Sequence, residues 1–518
     1  MYNVSYSVAV TGIDGNIIRV EADVSNGLPG FSMVGYLSSE VKEAKDRVWV
    51  ACKNAGYEIA PKKITINLSP ADLRKDGTGF DLAVAASMLA AYGYIPQQCL
   101  DDMVIIGELS LDGSVKPVKG ILPMVYSALK EGFSYCLLPL ENVNEGMLVA
   151  GINIIGIDNI RNLVNILTYR EDYAILSQGI EGIKPLEQDV KYDFLEVRGQ
   201  VLTKRAIEVA ISGMHNLLMI GPPGSGKSML AKRITEILKE PDFDEIMEIS
   251  KIYSVAGLLN SDKPYIDRRP FRAPHHTITR AALVGGGKTP SPGEMSLASG
   301  GVLFLDELPE FTRQSIEVMR QPLEDGYINI SRVGGTVKFP ASCELIAAMN
   351  PCPCGYYPDR SKCKCTSNEI NRYLKKVSRP ILDRIDICTE TILLDYETLQ
   401  GNSGEDKYYS TELMRERIAK VHSVQRERYK GESFTFNAFL EPKYIDKYCT
   451  LSKEADDILR EIFEKDIVSN RALHKILKVA RTIADMDEKS IINENHIAEA
   501  VGYRNIDKKY WNGRYDNA

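Results

Sequence analysis

The chain has 518 residues, 44% of them apolar and 26% charged, with a formal net charge of −7. This is the balance of a globular protein of roughly two to four domains. It excludes a basic nucleic-acid coat, so any DNA contact must come from a local basic surface.

The first residues, MYNVSYSVAVTGID, carry no basic segment followed by an apolar one, and no run of about 18 apolar residues occurs. Neither a signal peptide nor a membrane span is expected, and a cytoplasmic location is. Four of the ten cysteines crowd into 352–365; the other six are scattered and read as reduced, mostly buried thiols.

Residues 1–168 read as one α/β unit. Strand-like alternation marks SVAVTG, IIRVEADV and KITINLSP, and helical periodicity covers 40–54 and 80–92. Residues 169–192 are polar, lack periodicity and read as a linker. A second α/β unit is expected over 193–395. Its short apolar runs LLMIG, GVLFLDE and ELIAAMN, bounded by glycine or polar turns, suit the buried strands of a parallel sheet. INISRVGGTVKF (328–339) reads as a hairpin with Gly334-Gly335 as its two-residue turn and Arg332 and Lys338 near its tip. After a polar break at 400–408 the pattern is helical and charged, so 396–518 reads as a small all-α domain.

GPPGSGKS (Gly221, Pro222, Pro223, Gly224, Ser225, Gly226, Lys227, Ser228) fits the phosphate-loop pattern G-x-x-x-x-G-K-[ST]. It follows an apolar strand and opens a helical stretch, 229–238, as that motif requires. The glycines let backbone N–H groups turn toward phosphate oxygens, and the helix N-terminus adds its positive dipole end. ATP is therefore the expected ligand, with Lys227 reaching its β- and γ-phosphates and Ser228 ligating magnesium. Downstream, GVLFLDE delivers Asp306 and Glu307 to the end of a buried strand, where Asp306 is expected to position magnesium and Glu307 to polarise the attacking water. Asn350, ending ELIAAMN, stands to orient the same water. Arg384 in RPILDRID and Arg471 in SNRALHKIL are further candidates for charge at the γ-phosphate.

Cys352, Cys354, Cys363 and Cys365 form C-x-C-x₈-C-x-C, a set that can close a tetrahedral zinc site. Two disulfides and four unrelated thiols are the alternatives. From 360 to 379 the chain carries Arg360, Lys362, Lys364, Arg372, Lys375, Lys376 and Arg379 against one anion, Glu369. With Tyr356, Tyr357 and Tyr373 in or beside it, this stretch is a candidate for phosphate contacts and base stacking on DNA. Arg272, His275, His276 and Arg280 lie in an insertion-like segment. Adjacent histidines on extended chain point to opposite faces, which favours packing or DNA contact over metal binding.

Taken in order, the phosphate loop, LFLDE, AAMNPCPCG, PILDRID and SNRALHKILKVARTIAD resemble the Mg-chelatase-like AAA+ ATPases of the ComM (YifB) family, as do FRAPHHTITRAALVGGG and PSPGEMSLASGGVLFLDELPEF. The resemblance covers nearly the whole chain. It implies a sensor-one role for Asn350, an arginine finger at Arg384 acting on a neighbouring subunit's ATP, and a sensor-two role for Arg471 on a helical lid. It also implies six-membered rings and places the hairpin where related motors engage DNA. PADLRKDGTGFDLAVAASMLAA and GELSLDGSVKPVKGILPMVYSA resemble the proteolytic domain of Lon proteases, which works through a serine–lysine dyad. Here Gly79 and Leu122 stand at those two places, so the fold is expected without the protease.

The fold class expected is therefore α/β: a Lon-protease-like α+β domain, a P-loop AAA+ α/β core and an all-α lid. The function expected from the resemblance is an ATP-driven hexameric motor on DNA, giving branch migration or helicase activity in homologous recombination during natural transformation, with recombination proteins as partners. The alternative is a chelatase-like ATPase that remodels a protein or cofactor. The acidic metal-binding partner segment expected beside a chelatase motor is absent from the sequence, and basic candidates for a pore are present.

Overall fold

The computed structural model describes residues 2–169, 191–287, 289–332, 335–396, 407–466 and 470–511. The expected linker and the expected break near 400 fall largely outside them.

The first unit is a seven-stranded mixed sheet, in spatial order Gly30–Val34, Lys63–Ser69, Asp14–Ser25, Tyr2–Thr11, Met103–Ile105, Tyr135–Pro139 and Asn153–Ile157. The alternation read in the sequence becomes an antiparallel ladder from Tyr2↔Asp23 to Thr11↔Asp14. The helices Ser39–Asn54 and Asp81–Ala91 match the expected periodic stretches. Every residue of Asp81–Ala91 is buried, in keeping with its mostly apolar side chains; its one charge, Asp81, is paired with Arg47 at 2.8 Å. The helix Ile121–Lys130 covers a second apolar cluster with Val104, Leu138 and Ile154.

The second unit is a five-stranded parallel sheet, ordered Phe271–Arg272, Val302–Leu305, Glu344–Met349, Leu217–Ile220, Ile387–Glu390. The three apolar runs are its fully buried strands. Because all five run the same way, the segments after Ile220, Leu305 and Met349 emerge along one edge. Arg332 pairs with Gly335 in the hairpin Tyr327–Arg332/Gly335–Pro340, so Gly335 belongs to a strand and not to the turn; the other proposed turn residue, Gly334, lies outside the described residues. Lys338 pairs with Asn329, well down the strand rather than at the tip.

Beyond the sheet the described chain is helical: Thr411–Arg428, Lys453–Asp466, Asn470–Met486 and Glu494–Trp511. Ile418, Ile476, Val479 and Ile483 share one apolar cluster with Leu217, Met219 and Phe304 of the sheet. A largely buried ion pair, Lys475 Nζ to Asp386 at 2.7 Å, ties the helix Asn470–Met486 to the start of the last strand. The first unit is also docked. Ser254 of the helix Phe243–Ala256 accepts from Gly120 N–H through its carbonyl (3.0 Å) and from Leu122 N–H through its hydroxyl (3.3 Å), and Met247 enters the cluster beneath Ile121–Lys130.

Candidate functional site

The phosphate loop leaves the buried strand Leu217–Ile220 and turns through positive φ at Gly224 (77°) and Gly226 (88°) before the helix Lys227–Ile237 begins. A side chain with a Cβ would be strained at both positions. Nothing lies within 4 Å of where a Cβ on Gly224 would stand, so the loop faces open space. Lys227 Nζ donates to Gly221 O (2.7 Å), Pro222 O (2.8 Å) and Asn350 Oδ1 (3.2 Å). Burial pushes its pKa down to about 8, against the pull of Asp306 and Glu307.

Ser228 Oγ donates to Asp306 Oδ2 at 2.6 Å. Two hard oxygen donors thus face each other from the helix N-terminus and the strand end, a donor set suited to magnesium. Glu307 sits in the left-handed region (φ 52°), with its N–H donating to Asp306 Oδ1 at 2.9 Å. A glutamate there costs about 1–3 kcal/mol, a cost often found at working sites. The loop, Asp306, Glu307 and Asn350 therefore converge on one edge of the sheet. A cavity of ≈450 Å³ opens beside Glu307 and Asn350, walled by Glu310, Arg372, Tyr373 and Lys376.

His276, expected above to pack or to meet DNA, stands beside the site, a place its sequence surroundings do not signal. Its Nδ1 lies 3.5 Å from Glu307 Oε2. The expectation that His275 and His276 face opposite ways is overturned: their rings lie 4.1 Å apart, because the chain turns at His276 instead of running extended. Arg272 is spent internally on Glu294 (2.6 and 2.8 Å), and Arg280 opens the short helix Arg280–Val284.

The two arginines lie elsewhere. Asn216, just before the loop strand, donates from Nδ2 to Arg384 O at 2.9 Å, which puts Arg384 at the opposite edge of the sheet. Four strand residues separate the edges, roughly 13 Å at about 3.3 Å per residue. Arg384 is buried, with Nη2 2.7 Å from Glu324 Oε2 and Nη1 donating to Pro380 O at 2.8 Å. Arg471, exposed, also pairs with Glu324, through Oε1.

The four cysteines of the cluster are gathered: their Sγ atoms all lie within 4.8 Å of one another. Around them Arg360, Lys362, Lys364, Arg372, Lys375 and Lys376 are exposed, as are Arg332 and Lys338 on the hairpin. Several have partners: Arg360 with Cys365 O (3.0 Å), Lys362 with Asp359 (3.8 Å) and Lys376 with Glu310 (3.1 Å). Lys338 Nζ sits 3.8 Å over the Tyr327 ring. Tyr373, read above as a base-stacking candidate, is buried on the inner face of the helix Ser367–Leu374, where it walls the cavity beside Glu307 and Asn350. In the first unit, Leu122 is fully buried and Gly79 accepts from Gly107 N–H at 3.0 Å.

Three family models match the chain: magnesium chelatase, subunit ChlI, over 193–399; subunit ChlI of Mg-chelatase over 20–142; and the subunit ChlI C-terminal segment over 409–504. Competence protein ComM of Haemophilus influenzae is 40% identical over 502 residues, 96% of each chain. YifB of Escherichia coli K12 is 38% identical over 509 residues, 98% of this chain and 97% of that one. Lon protease of Mycolicibacterium smegmatis is 27% identical over 146 residues, 27% of this chain and 18% of that one. Its likeness to this chain accords with the mixed sheet and helices of the first unit. The phosphate loop, the parallel sheet and the helical C-terminal part thus occur in a chain that belongs to the ComM/YifB family of Mg-chelatase-like AAA+ ATPases.

Proposed function

We propose that the protein is a ring-forming motor that spends ATP hydrolysis on moving DNA strands, as in branch migration or unwinding during homologous recombination of incoming DNA. In this reading the loop Gly221–Gly226 holds the phosphates through its N–H groups. Lys227 exchanges its carbonyl contacts for β- and γ-oxygens, and Ser228 and Asp306 hold magnesium. Magnesium, when bound, neutralises charge on those oxygens. Glu307 accepts the proton of the attacking water, His276 orients Glu307, and Asn350 fixes the water against the γ-phosphate.

The observation that carries the ring is the place of Arg384. Its backbone stands at the sheet edge opposite its own phosphate loop, which supports a role for its charge at a neighbour's site. Arg471, sharing Glu324 with it, is delivered to the same neighbour. Hexamers close such head-to-tail contacts into a ring.

DNA as the substrate is supported by the exposed basic residues on the cysteine loop and hairpin, and by the competence role in the name of the Haemophilus relative. A cytoplasmic site of action and recombination proteins as partners go with that reading. No helix among the described residues is long and apolar enough to cross a membrane. The chelatase models favour a second reading, remodelling of a protein or cofactor. ATP turnover measured alone and with single-stranded, forked and four-way DNA separates the two. Stimulation by DNA is expected; no response to any of the three would move the function to the second reading.

A further inference from the structure

The cysteine cluster stands between two parts of the nucleotide site, and its geometry says what it holds. Cys352 Sγ lies 3.4 Å from Cys354 Sγ and 3.8 Å from Cys363 Sγ, and Cys354 Sγ lies 3.6 Å from Cys363 Sγ. A disulfide would bring a pair to about 2.05 Å. Four thiolates around one tetrahedral zinc, each about 2.3 Å from it, stand about 3.8 Å apart. The observed spacing is close to the second. The backbone supports the charge such a site needs: Tyr357 N–H donates to Cys352 Sγ at 3.4 Å, and the amides of Tyr356 and Cys365 face Cys354 and Cys363.

The loop these thiols close touches the nucleotide site on both sides. Asn350 is separated from Cys352 only by Pro351, so the first thiol anchors the chain two residues beyond the polar tip that meets Lys227. On the other side Gly355, at φ 85°, lies directly on the phosphate loop: a Cβ there would come 2.4 Å from Pro223 Cδ. The Tyr373 phenol, from the helix that follows Cys365, faces the Asn350 backbone. The loop therefore spans the gap from the strand of Asn350 to the strand of Gly221, which are neighbours in the sheet.

We propose that Cys352, Cys354, Cys363 and Cys365 bind one zinc ion, and that the zinc-closed loop is a strut fixing Asn350 and Pro223 relative to each other so that ATP is hydrolysed once bound. The strut rests on the ATPase reading of the phosphate-loop site; the zinc ion does not. Losing the metal leaves the phosphate cradle in place but lets Asn350 drift. Turnover should fall far more than nucleotide affinity.

The test uses the full chain. Elemental analysis should find about one zinc per chain in the wild type, in Lys227→Ala and in Gly355→Val, and under about a tenth of that in the Cys363→Ser/Cys365→Ser double variant. The double variant should lose at least about tenfold in kcat while its affinity for a fluorescent ADP analogue stays within about threefold. Gly355→Val strains the backbone at φ 85° and pushes on Pro223 without removing a thiol, so its kcat should fall at the wild-type zinc content. Should the serine variant not fold, chelation of zinc from the wild type should lower kcat and zinc re-addition should restore it. A wild type with well under one zinc per chain overturns the site. Unchanged kcat in zinc-free protein, or in Gly355→Val, overturns the strut. A wild type that holds zinc yet does not hydrolyse ATP under any condition leaves the metal site standing and removes the ATPase reading together with the strut.

Discussion

Arg384 and Arg471 end on the same carboxylate: Glu324 receives Arg384 at Oε2 (2.7 Å) and Arg471 at Oε1. One is buried and the other exposed, so the pair reaches from the sheet edge to the surface as a unit. A neighbouring subunit's γ-phosphate would compete with Glu324 for both guanidinium groups. Complementation tests this. Lys227→Ala and Arg384→Ala should each be inactive alone. Mixed in equal amounts and allowed to exchange subunits, they should regain about a quarter of wild-type ATP turnover, since half the subunits keep a working loop and half of their neighbours a working arginine. No recovery after exchange would mean that Arg384 acts within its own chain or only on the fold.

Within the site itself, Lys227→Ala and Glu307→Gln should both abolish turnover, by at least about a hundredfold. They should differ in binding. Glu307→Gln leaves the cradle and the Ser228–Asp306 pair intact and should hold ATP as tightly as the wild type. Lys227→Ala should not. His276→Ala, which removes only the ring beside Glu307, should lower kcat and leave KM nearly unchanged. A fluorescent nucleotide titration beside a steady-state assay reads all three. A rise in KM at constant kcat for His276→Ala would make that ring a binding residue rather than one that positions Glu307.

The strands and the phosphate loop were legible in the sequence because each is specified locally: an apolar run bounded by glycine, or a motif of fixed spacing. The cysteine spacing was legible for the same reason. Glu324 was not. It sits in QPLEDG, with no pattern around it, and matters only because Arg384 and Arg471 arrive from distant segments. The place of His276 is hidden for a related reason: alternation holds on extended chain, and the two histidines stand in a turn. Tyr373 looked available in a basic run, yet helical periodicity turns it inward with Ile370 and Leu374. Contacts between segments far apart in the chain leave no local signal.

The pKa of Lys227 gives a pH signature. Burial among the loop carbonyls pushes it down to about 8 from 10.5. Phosphate oxygens favour the charged ammonium, so the value rises on binding. Below pH 8 the lysine is already charged and binding takes up no proton there. Above it, binding must recruit one, and affinity should fall by up to about tenfold per pH unit until the pKa of the bound state is reached. Calorimetric titration with ADP at pH 9 in two buffers of different ionisation enthalpy should show net proton uptake, and Lys227→Met should abolish it. An observed heat independent of buffer would remove this assignment.

The lid depends on a buried charge. Asp386 has Lys475 at 2.7 Å and His215 at 3.5 Å; against burial, which raises it, the Lys475 ammonium above all holds its carboxyl far below the usual range. Lys475→Met fills the space but strands the carboxylate, which should cost about 3–5 kcal/mol and lower Tm by several degrees. The sign with pH follows from the depressed pKa. The pair's contribution is fully present above the ordinary carboxylate range and is lost as pH falls through and below it. Thermal melts from pH 7 to pH 2 should therefore show a steady gap down to about pH 4 and convergence of wild type and variant below it. A constant gap in Tm would assign the effect to packing instead.

Charge reversal on the cysteine loop tests the DNA contact separately from the metal. Arg360, Lys362 and Lys364 are exposed and lie between or beside the thiols. Replacing all three with glutamate should weaken DNA binding by a similar factor for every sequence, because phosphate contacts carry no sequence information. The slope of log affinity against log salt should become shallower by about 0.7–0.9 per lost contact. Fluorescence anisotropy with labelled single-stranded DNA at four salt concentrations gives that slope. The zinc content of the variant should match the wild type, since none of the three side chains ligates the metal and Arg360 meets Cys365 through its carbonyl. Equal slopes for variant and wild type would place the DNA path elsewhere, with the hairpin residues Arg332 and Lys338 the next to reverse.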